Sequence, residues 1–287
     1  MIITVVGLGV VGGSFVKALK GQGHEVYGVD VDEETLARAK ADGCIKEGFV
    51  DGREIIKKSD MTIICLYPSL VLDYIKNHEF KKGSIITDAV GVKTHFLNEA
   101  MDLLKDKDVE FVSGHPMAGR ENKGYLYASK EVFQGANYIL IQHEENSKSA
   151  IAMMEQFVSN LGFHSVKIMS PQAHDEIISF TSQLPHVIAV SLIDSDNQKY
   201  DTGKYIGDSY RDLTRIANIN EDLWTELFFT NKNNLLKSIQ GFEDQLDILK
   251  KAIKEEDADT LKAMFIESSK RRRNLETVSY THLTLPT

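Results

Sequence analysis

Three glycines, at positions 7, 9 and 12, restrict what this 287-residue chain can fold into more than any other feature. Gly7-Leu8-Gly9-Val10-Val11-Gly12 directly follows Ile2–Val6, a predicted strand, and opens a predicted helix that runs to about Leu19. A second strand pattern ends at Asp30, 18 residues after Gly12. In a strand–turn–helix–strand unit of this kind each part has a physical job. The first glycine permits a tight turn, the second lets backbone approach a pyrophosphate, and the third allows helix to pack closely on strand. The helix N-terminus presents free N–H groups and the positive end of its dipole to the phosphates. Asp30 would accept a hydrogen bond from a ribose 2′-hydroxyl and repel a 2′-phosphate, and neither Val31 nor Asp32 supplies a cation. The motif therefore predicts NAD rather than NADP, held by Gly7, Leu8, Gly9, Val10, Val11, Gly12 and Asp30.

The remainder of the first 165 or so residues continues the same alternation. Short Ile- and Val-rich runs (Glu25–Asp30, Met61–Leu66, Ser84–Asp88, Val109–Ser113, Asn137–Gln142, Ser165–Met169) are separated by amphipathic helical patterns. That arrangement predicts an α/β fold, a doubly wound parallel sheet of Rossmann type covered on both faces. After Met169 the strand signal stops. Ser170-Pro171 reads as a helix cap followed by proline at the first helical position, and the pattern stays helical to about Thr277. Pro185, inside one such stretch, is expected to kink it. Phe242, Leu246, Leu249 and Ile253, then Leu261 and Phe265, form a narrow stripe suited to an antiparallel helical hairpin broken near Glu255–Asp257. The expected organisation is a nucleotide-binding domain over residues 1–168 and an all-helical domain over 169–277. The tail 278–287, without helical period, is set aside as disordered or non-native. A helical domain this small and narrowly striped buries a modest core alone, so a homodimer through these helices is expected.

Charge narrows the partners. Lys and Arg number 33 against 42 Asp and Glu, a net charge of −9, which disfavours nucleic acid and anionic membranes. No basic residue precedes the apolar Ile2–Val16 stretch, and the other apolar runs fall short of the ~20 residues that span a bilayer. Cys44 and Cys65 have no metal-ligand spacing and suit a reducing compartment. A cytoplasmic protein without a structural metal is expected.

Ser113-Gly114-His115-Pro116-Met117-Ala118-Gly119-Arg120-Glu121 follows a predicted strand. Ligands of open α/β sheets bind at the carboxyl ends of strands, and proline and glycine fix the backbone around His115. An imidazole held rigidly there can serve as a base beside a nicotinamide.

Together GLGVVGGS (7–14), GHPMAGRE (114–121), FTSQLPH (180–186) and YRDLTRIA (210–217), with Trp224, resemble the TyrA prephenate/arogenate dehydrogenases of tyrosine biosynthesis, from residue 1 to about residue 275. The resemblance implies a Rossmann domain joined to a helical dimerisation domain. It implies oxidative decarboxylation of prephenate, a dianion, to 4-hydroxyphenylpyruvate and CO2, with NAD taking the hydride from ring C4. By the same likeness His115 accepts the C4 hydroxyl proton, His186 helps hold the pyruvyl side chain, and Arg215 holds the ring carboxylate. Trp224 borders the pocket, Glu121 lies near Arg215, and Arg120 fills the adjacent variable position. A guanidinium is the expected means by which an acidic protein holds a carboxylate.

Two plainer readings stand beside these. Arg215 could pair with Asp212 or Glu226, and His186 could cap a carbonyl freed by Pro185. The segment Asp88-Ala89-Val90-Gly91-Val92-Lys93 places Gly91 where the family commonly has a serine touching substrate and nicotinamide, and Gln183 stands where a histidine is often found. Rival functions are an arogenate dehydrogenase, whose substrate carries an ammonium in place of the keto group, a hydroxy-acid dehydrogenase with a lysine base, and an NAD-sensing interaction protein.

Overall fold

The computed structural model describes residues 1–119 and 122–280. Arg120, Glu121 and most of the 278–287 tail lie outside the described residues. Two compact units divide the chain, one spanning Met1–Leu235 and the other beginning at Leu236.

The first unit is built on a six-stranded parallel sheet, formed by β1 (Ile2–Val6), β2 (Glu25–Val29), β3 (Glu47–Phe49), β4 (Met61–Ile64), β5 (Ile85–Asp88) and β6 (Glu110–Phe111). Its order is β3-β2-β1-β4-β5-β6. Successive residues of a strand face opposite sides of the sheet. Ile3, Ile63 and Ile85 accordingly enter one core with Phe15, Leu19 and Phe157, while Val6, Ile64 and Ile86 enter another with Ile75 and Phe96. Burial on both faces is why these strands read as unbroken apolar runs. The covering helices are α1 (Val10–Leu19), α2 (Glu33–Ala41), α3 (Arg53–Ile56), α4 (Pro68–Asn77), α5 (Thr94–Leu104) and α6 (Lys148–Asn160). The strand order reverses between β1 and β4, which opens a crevice at the carboxyl ends of those strands.

The later strands depart from the single parallel sheet. After β6 the chain leaves it, and β7 (Gly114–Pro116), β8 (Asn137–Ile141) and β9 (Ser165–Met169) form a separate three-stranded sheet. In it β7 runs antiparallel to β8, with His115 opposite Ile139, and β8 runs parallel to β9. The periodicity of Val109–Ser113 gives no hint of this exchange, because a strand's pattern records which face is buried and not which partner it meets.

The first unit continues with α7 (Pro171–Ile178), α8 (Leu184–Asp194), α9 (Asp208–Thr214) and α10 (Glu221–Thr230), then the start of α11 (Lys232–Lys254). Ser170 caps α7 by accepting from Ala173 N. A π-helical turn, Ser179–Gln183, joins α7 to α8, with Leu184 N donating to the Ser179 carbonyl. Pro185 follows this turn at once. Widening the helix by one residue lets the chain pass a proline, which has no N–H to give, without ending. The resulting run Pro171–Asp194 is long and apolar enough to cross a membrane by length and composition, which the expectation of only short runs missed. Its His174, Asp175 and Gln183 are nonetheless buried within the folded unit and hydrogen-bonded there. In the second unit, α11 ends at Lys254 and α12 (Ala258–Tyr280) follows, with Asp257 capping the turn between them through Thr260 N at 3.0 Å. Phe242, Leu246, Ile253 and Phe265 of the apolar stripe are exposed in the single chain.

Candidate active site

The glycine turn takes the form its spacing demands. Gly7 has φ +81°, and a Cβ there would lie 2.6 Å from the Cys65 carbonyl oxygen. On Gly12 a Cβ would run into the Gly7 carbonyl oxygen, so neither site admits a side chain. At Gly9 a Cβ would meet nothing within 4 Å, leaving open space before the backbone at the start of α1. No side chain caps that helix and its first turn carries no acidic residue, so the positive end of its dipole is uncompensated. Asp30 accepts from Leu8 N at 2.6 Å and from Asp32 N at 2.9 Å, tying β2 to the turn while each oxygen retains a lone pair. These residues fit a dinucleotide: an approachable N-terminus for phosphate and a fixed carboxylate for a ribose hydroxyl.

His115 stands on β7, half-buried, with its backbone locked in register to Ile139. Its Nδ1 lies 2.8 Å from Nε2 of His174, a fully buried residue of α7. His174 Nδ1 is 2.8 Å from Oδ1 of Asp175. The Asp175 carboxylate also accepts from Lys93 N at 2.8 Å and Thr94 N at 2.7 Å, at the start of α5. Lys93 is itself fully buried, its Nζ donating to Asp88 Oδ2 at 2.6 Å and to the Gly114 carbonyl at 2.7 Å. Burial, reinforced by the nearby His174 and Lys93, holds His115 well below the usual imidazole value, so it is neutral at pH 7. The same burial lowers His174, against the opposing hydrogen bond to Asp175.

Gly91 lies beside this histidine. A Cβ there would sit 3.8 Å from His115 Nε2 and 3.4 Å from Leu227 Cδ2 of α10. Gln183 donates to the Leu227 carbonyl at 2.9 Å and accepts from Asn231 at 2.8 Å, so it serves as a buried tie between the π turn and α10. One turn before Leu227, Trp224 packs its indole on the imidazole of His186, ring centres 3.6 Å apart. His186 Nδ1 lies 2.8 Å from the Ser182 carbonyl. His186 thus engages a helical carbonyl through Nδ1, but one four residues before itself and not one that the missing N–H of Pro185 leaves free, and Nε2 remains for a ligand. Arg215 is exposed, on a 3-10 turn (Arg215–Ala217) that packs against α8. Glu226, one of the partners weighed for it, accepts from Ser69 N at 2.8 Å and so links α10 to the start of α4.

Direct contacts therefore join His115, His174, Asp175 and Lys93, place Gly91 and Leu227 beside His115, and pair His186 with Trp224. Sequence reasoning missed His174 and Asp175. A signal was present, since both fall on the stripe of α7 that buries Pro171 and Ile178, where polar side chains need a reason. Among the described residues no group of three or more His, Cys, Asp or Glu could hold a metal ion.

Two family models cover this geometry: "Prephenate dehydrogenase, nucleotide-binding domain" matches residues 15–167, and "Prephenate dehydrogenase, dimerization domain" matches residues 170–267. The chain belongs to the prephenate dehydrogenase family. The glycine turn precedes the matched residues, so its reading rests on its geometry. A prephenate dehydrogenase of Bacillus subtilis is 28% identical over 272 residues, covering 90% of this chain and 72% of its own length. One from Lactococcus lactis is also 28% identical, over 96% of this chain and 77% of its own. Among solved structures, Aquifex aeolicus prephenate dehydrogenase in complex with hydroxyphenyl propionate and NAD+ superposes with TM-score 0.86 at 28% identity, covering 95% of this chain and 98% of its own. Synechocystis arogenate dehydrogenase gives 0.82 at 26% identity, over 96% of this chain and all (100%) of its own.

Proposed function

We propose that this family member catalyses the NAD-dependent oxidative decarboxylation of prephenate to 4-hydroxyphenylpyruvate and CO2, with His115 as the base. The observation that carries this reading is a neutral, half-buried imidazole whose Nε2 faces the space beside Gly91 while its Nδ1 is engaged. Bound NAD supplies the hydride acceptor, held by Gly7, Leu8, Gly9, Val10, Val11, Gly12 and Asp30. His115 Nε2 takes the proton of the C4 hydroxyl as the C4–H bond yields its electron pair. The new C4 carbonyl draws electrons from the C1–carboxylate bond, CO2 leaves, and the ring becomes aromatic. The proton on His115 then returns to the phenolate oxygen.

Arg215 is proposed to hold the ring carboxylate and His186, braced by Trp224, the side chain, and the family likeness extends substrate-binding roles to Arg120 and Glu121. Exposure of Arg215 in the single chain leaves its guanidinium within reach of an anionic substrate. The proposed organisation is a nucleotide-binding domain over 1–168 and a helical domain over 169–277, with homodimerisation through the latter. Its match to a dimerization-domain model supports this. The cytoplasm is the proposed compartment, in keeping with free Cys44 and Cys65.

Purified protein mixed with prephenate or arogenate, and with NAD or NADP, tests the reading through the absorbance of reduced nicotinamide. Prephenate with NAD should give the largest kcat/KM. Faster turnover of arogenate, or a preference for NADP, would overturn it.

A further inference from the structure

Four groups form an unbroken file from the interior to the reacting base: the backbone amides of Lys93 and Thr94, the Asp175 carboxylate, His174 and His115. We propose that His174 and Asp175 are positioning residues that fix His115 in the tautomer with its proton on Nδ1, leaving Nε2 bare toward the substrate. The inference deepens the proposed function and rests on His115 being its base.

The argument follows the donors along the file. A carboxylate that already accepts two backbone N–H groups can only accept again, so the proton between it and His174 belongs to His174 Nδ1. A neutral imidazole carries one proton, and His174 Nε2 is therefore an acceptor. The 2.8 Å bond to His115 then requires the proton to sit on His115 Nδ1. With that position filled, the only basic nitrogen left on His115 is Nε2, which faces the space beside Gly91. A histidine free of this file could populate either tautomer, and one of the two presents an N–H where a lone pair is needed. Once His115 takes the proton, its Nδ1–H still donates to His174, and the new charge lies at the end of a file that terminates in a carboxylate.

His174 is completely enclosed, so a purely structural role is the competing account. The two separate cleanly. His174→Phe fills the same ring volume without an acceptor, whereas His174→Gln is a poorer fit that can offer its carbonyl oxygen to His115 Nδ1. If His174 positions the base, Gln should retain kcat within about tenfold and Phe should lose about 10²-fold or more, within the range assigned to general-base catalysis. KM for NAD should hold within threefold in both. Packing alone predicts the reverse order, and that order would overturn the proposal.

A second readout needs no turnover. In ¹⁵N NMR of histidine-labelled protein without substrate, wild type should show His115 protonated at Nδ1 and bare at Nε2, with the pattern lost or reversed in Asp175→Asn and in His174→Phe. A His115 that keeps the wild-type tautomer in both variants would reject the role of the file, whatever the enzyme's substrate. Inactivity of wild type toward prephenate, with the tautomer signature intact, would instead reject the proposed function alone.

Discussion

The imidazole of His186 lies against the indole of Trp224 with ring centres 3.6 Å apart and planes inclined by 31°. Each residue comes from a different helix, α8 and α10, and Trp224 is in turn braced edge-on by Phe228 at 5.6 Å. The stack fixes the ring plane of His186 while the Ser182 carbonyl fixes its rotation. Trp224→Phe, which keeps an aromatic face, should leave the prephenate KM within about threefold, and Trp224→Ala should raise it about tenfold. Steady-state kinetics with NAD varied separately checks this, because an equal rise in the NAD KM would place the effect in general loosening.

Arg215 carries the proposed carboxylate contact. Removing the charged partner of a desolvated ion pair costs about 2–5 kcal/mol. Arg215→Ala should therefore raise the prephenate KM by about 30-fold or more with NAD binding unchanged. Initial rates over a range of prephenate concentrations decide it, and an unchanged KM would remove Arg215 from the site.

As the proposed base, His115 should set the pH dependence. It must be neutral to act as a base, so kcat/KM rises with pH as it loses its proton. Burial, with His174 and Lys93 adding to it, moves that ionisation well below 6.5, so the rising limb should lie below pH 6.5. This is lower than the near-6.5 ionisation that an ordinary histidine would give. Stability follows the same sign. A histidine whose folded-state value is depressed binds its proton more readily when unfolded, so its contribution is complete above about pH 6.5 and declines as pH falls below that. His115→Asn should abolish turnover with NAD affinity retained, as measured by fluorescence titration beside the rate assay.

Lys93 and Asp88 are an ion pair with both side chains at 0% exposure. Breaking a buried pair from one side leaves a charge without compensation and costs about 3–5 kcal/mol. Lys93→Met should lower the unfolding free energy by about that much in denaturant titration. Lys93→Met combined with Asp88→Asn should recover part of the loss, since no charge is then stranded.

Gly91 has room for a small side chain, with Leu227 at 3.4 Å and His115 Nε2 at 3.8 Å from a Cβ in ordinary van der Waals contact. Gly91→Ser should fold with a Tm within about 2 °C and keep kcat/KM within about tenfold. Gly91→Val, whose methyl groups would press on Leu227 and His115, should lose more than tenfold at unchanged NAD affinity. Thermal melts and initial rates on the pair distinguish the two.

Much of this was legible along the chain because it depends on neighbours in sequence. A turn that forbids Cβ atoms at positions 7 and 12, an acceptor at the end of the next strand, strand runs buried on both faces, and a proline-flanked histidine after β6 all leave local traces. The period of α7 likewise announced a helix. What it could not announce was the use made of His174 and Asp175. His174 meets His115 across 59 positions, and Asp175 reaches Lys93 across 82. Those bonds exist only because α7 docks on the start of α5 beneath β7, and no periodicity encodes which buried polar atoms will be brought within 3 Å. The exchange of β7 into a second sheet, the π turn just before Pro185 and the stacking of His186 on Trp224 belong to the same class. Sequence therefore determined the nucleotide turn and singled out the proposed base, whereas tertiary packing decided which nitrogen of His115 meets His174.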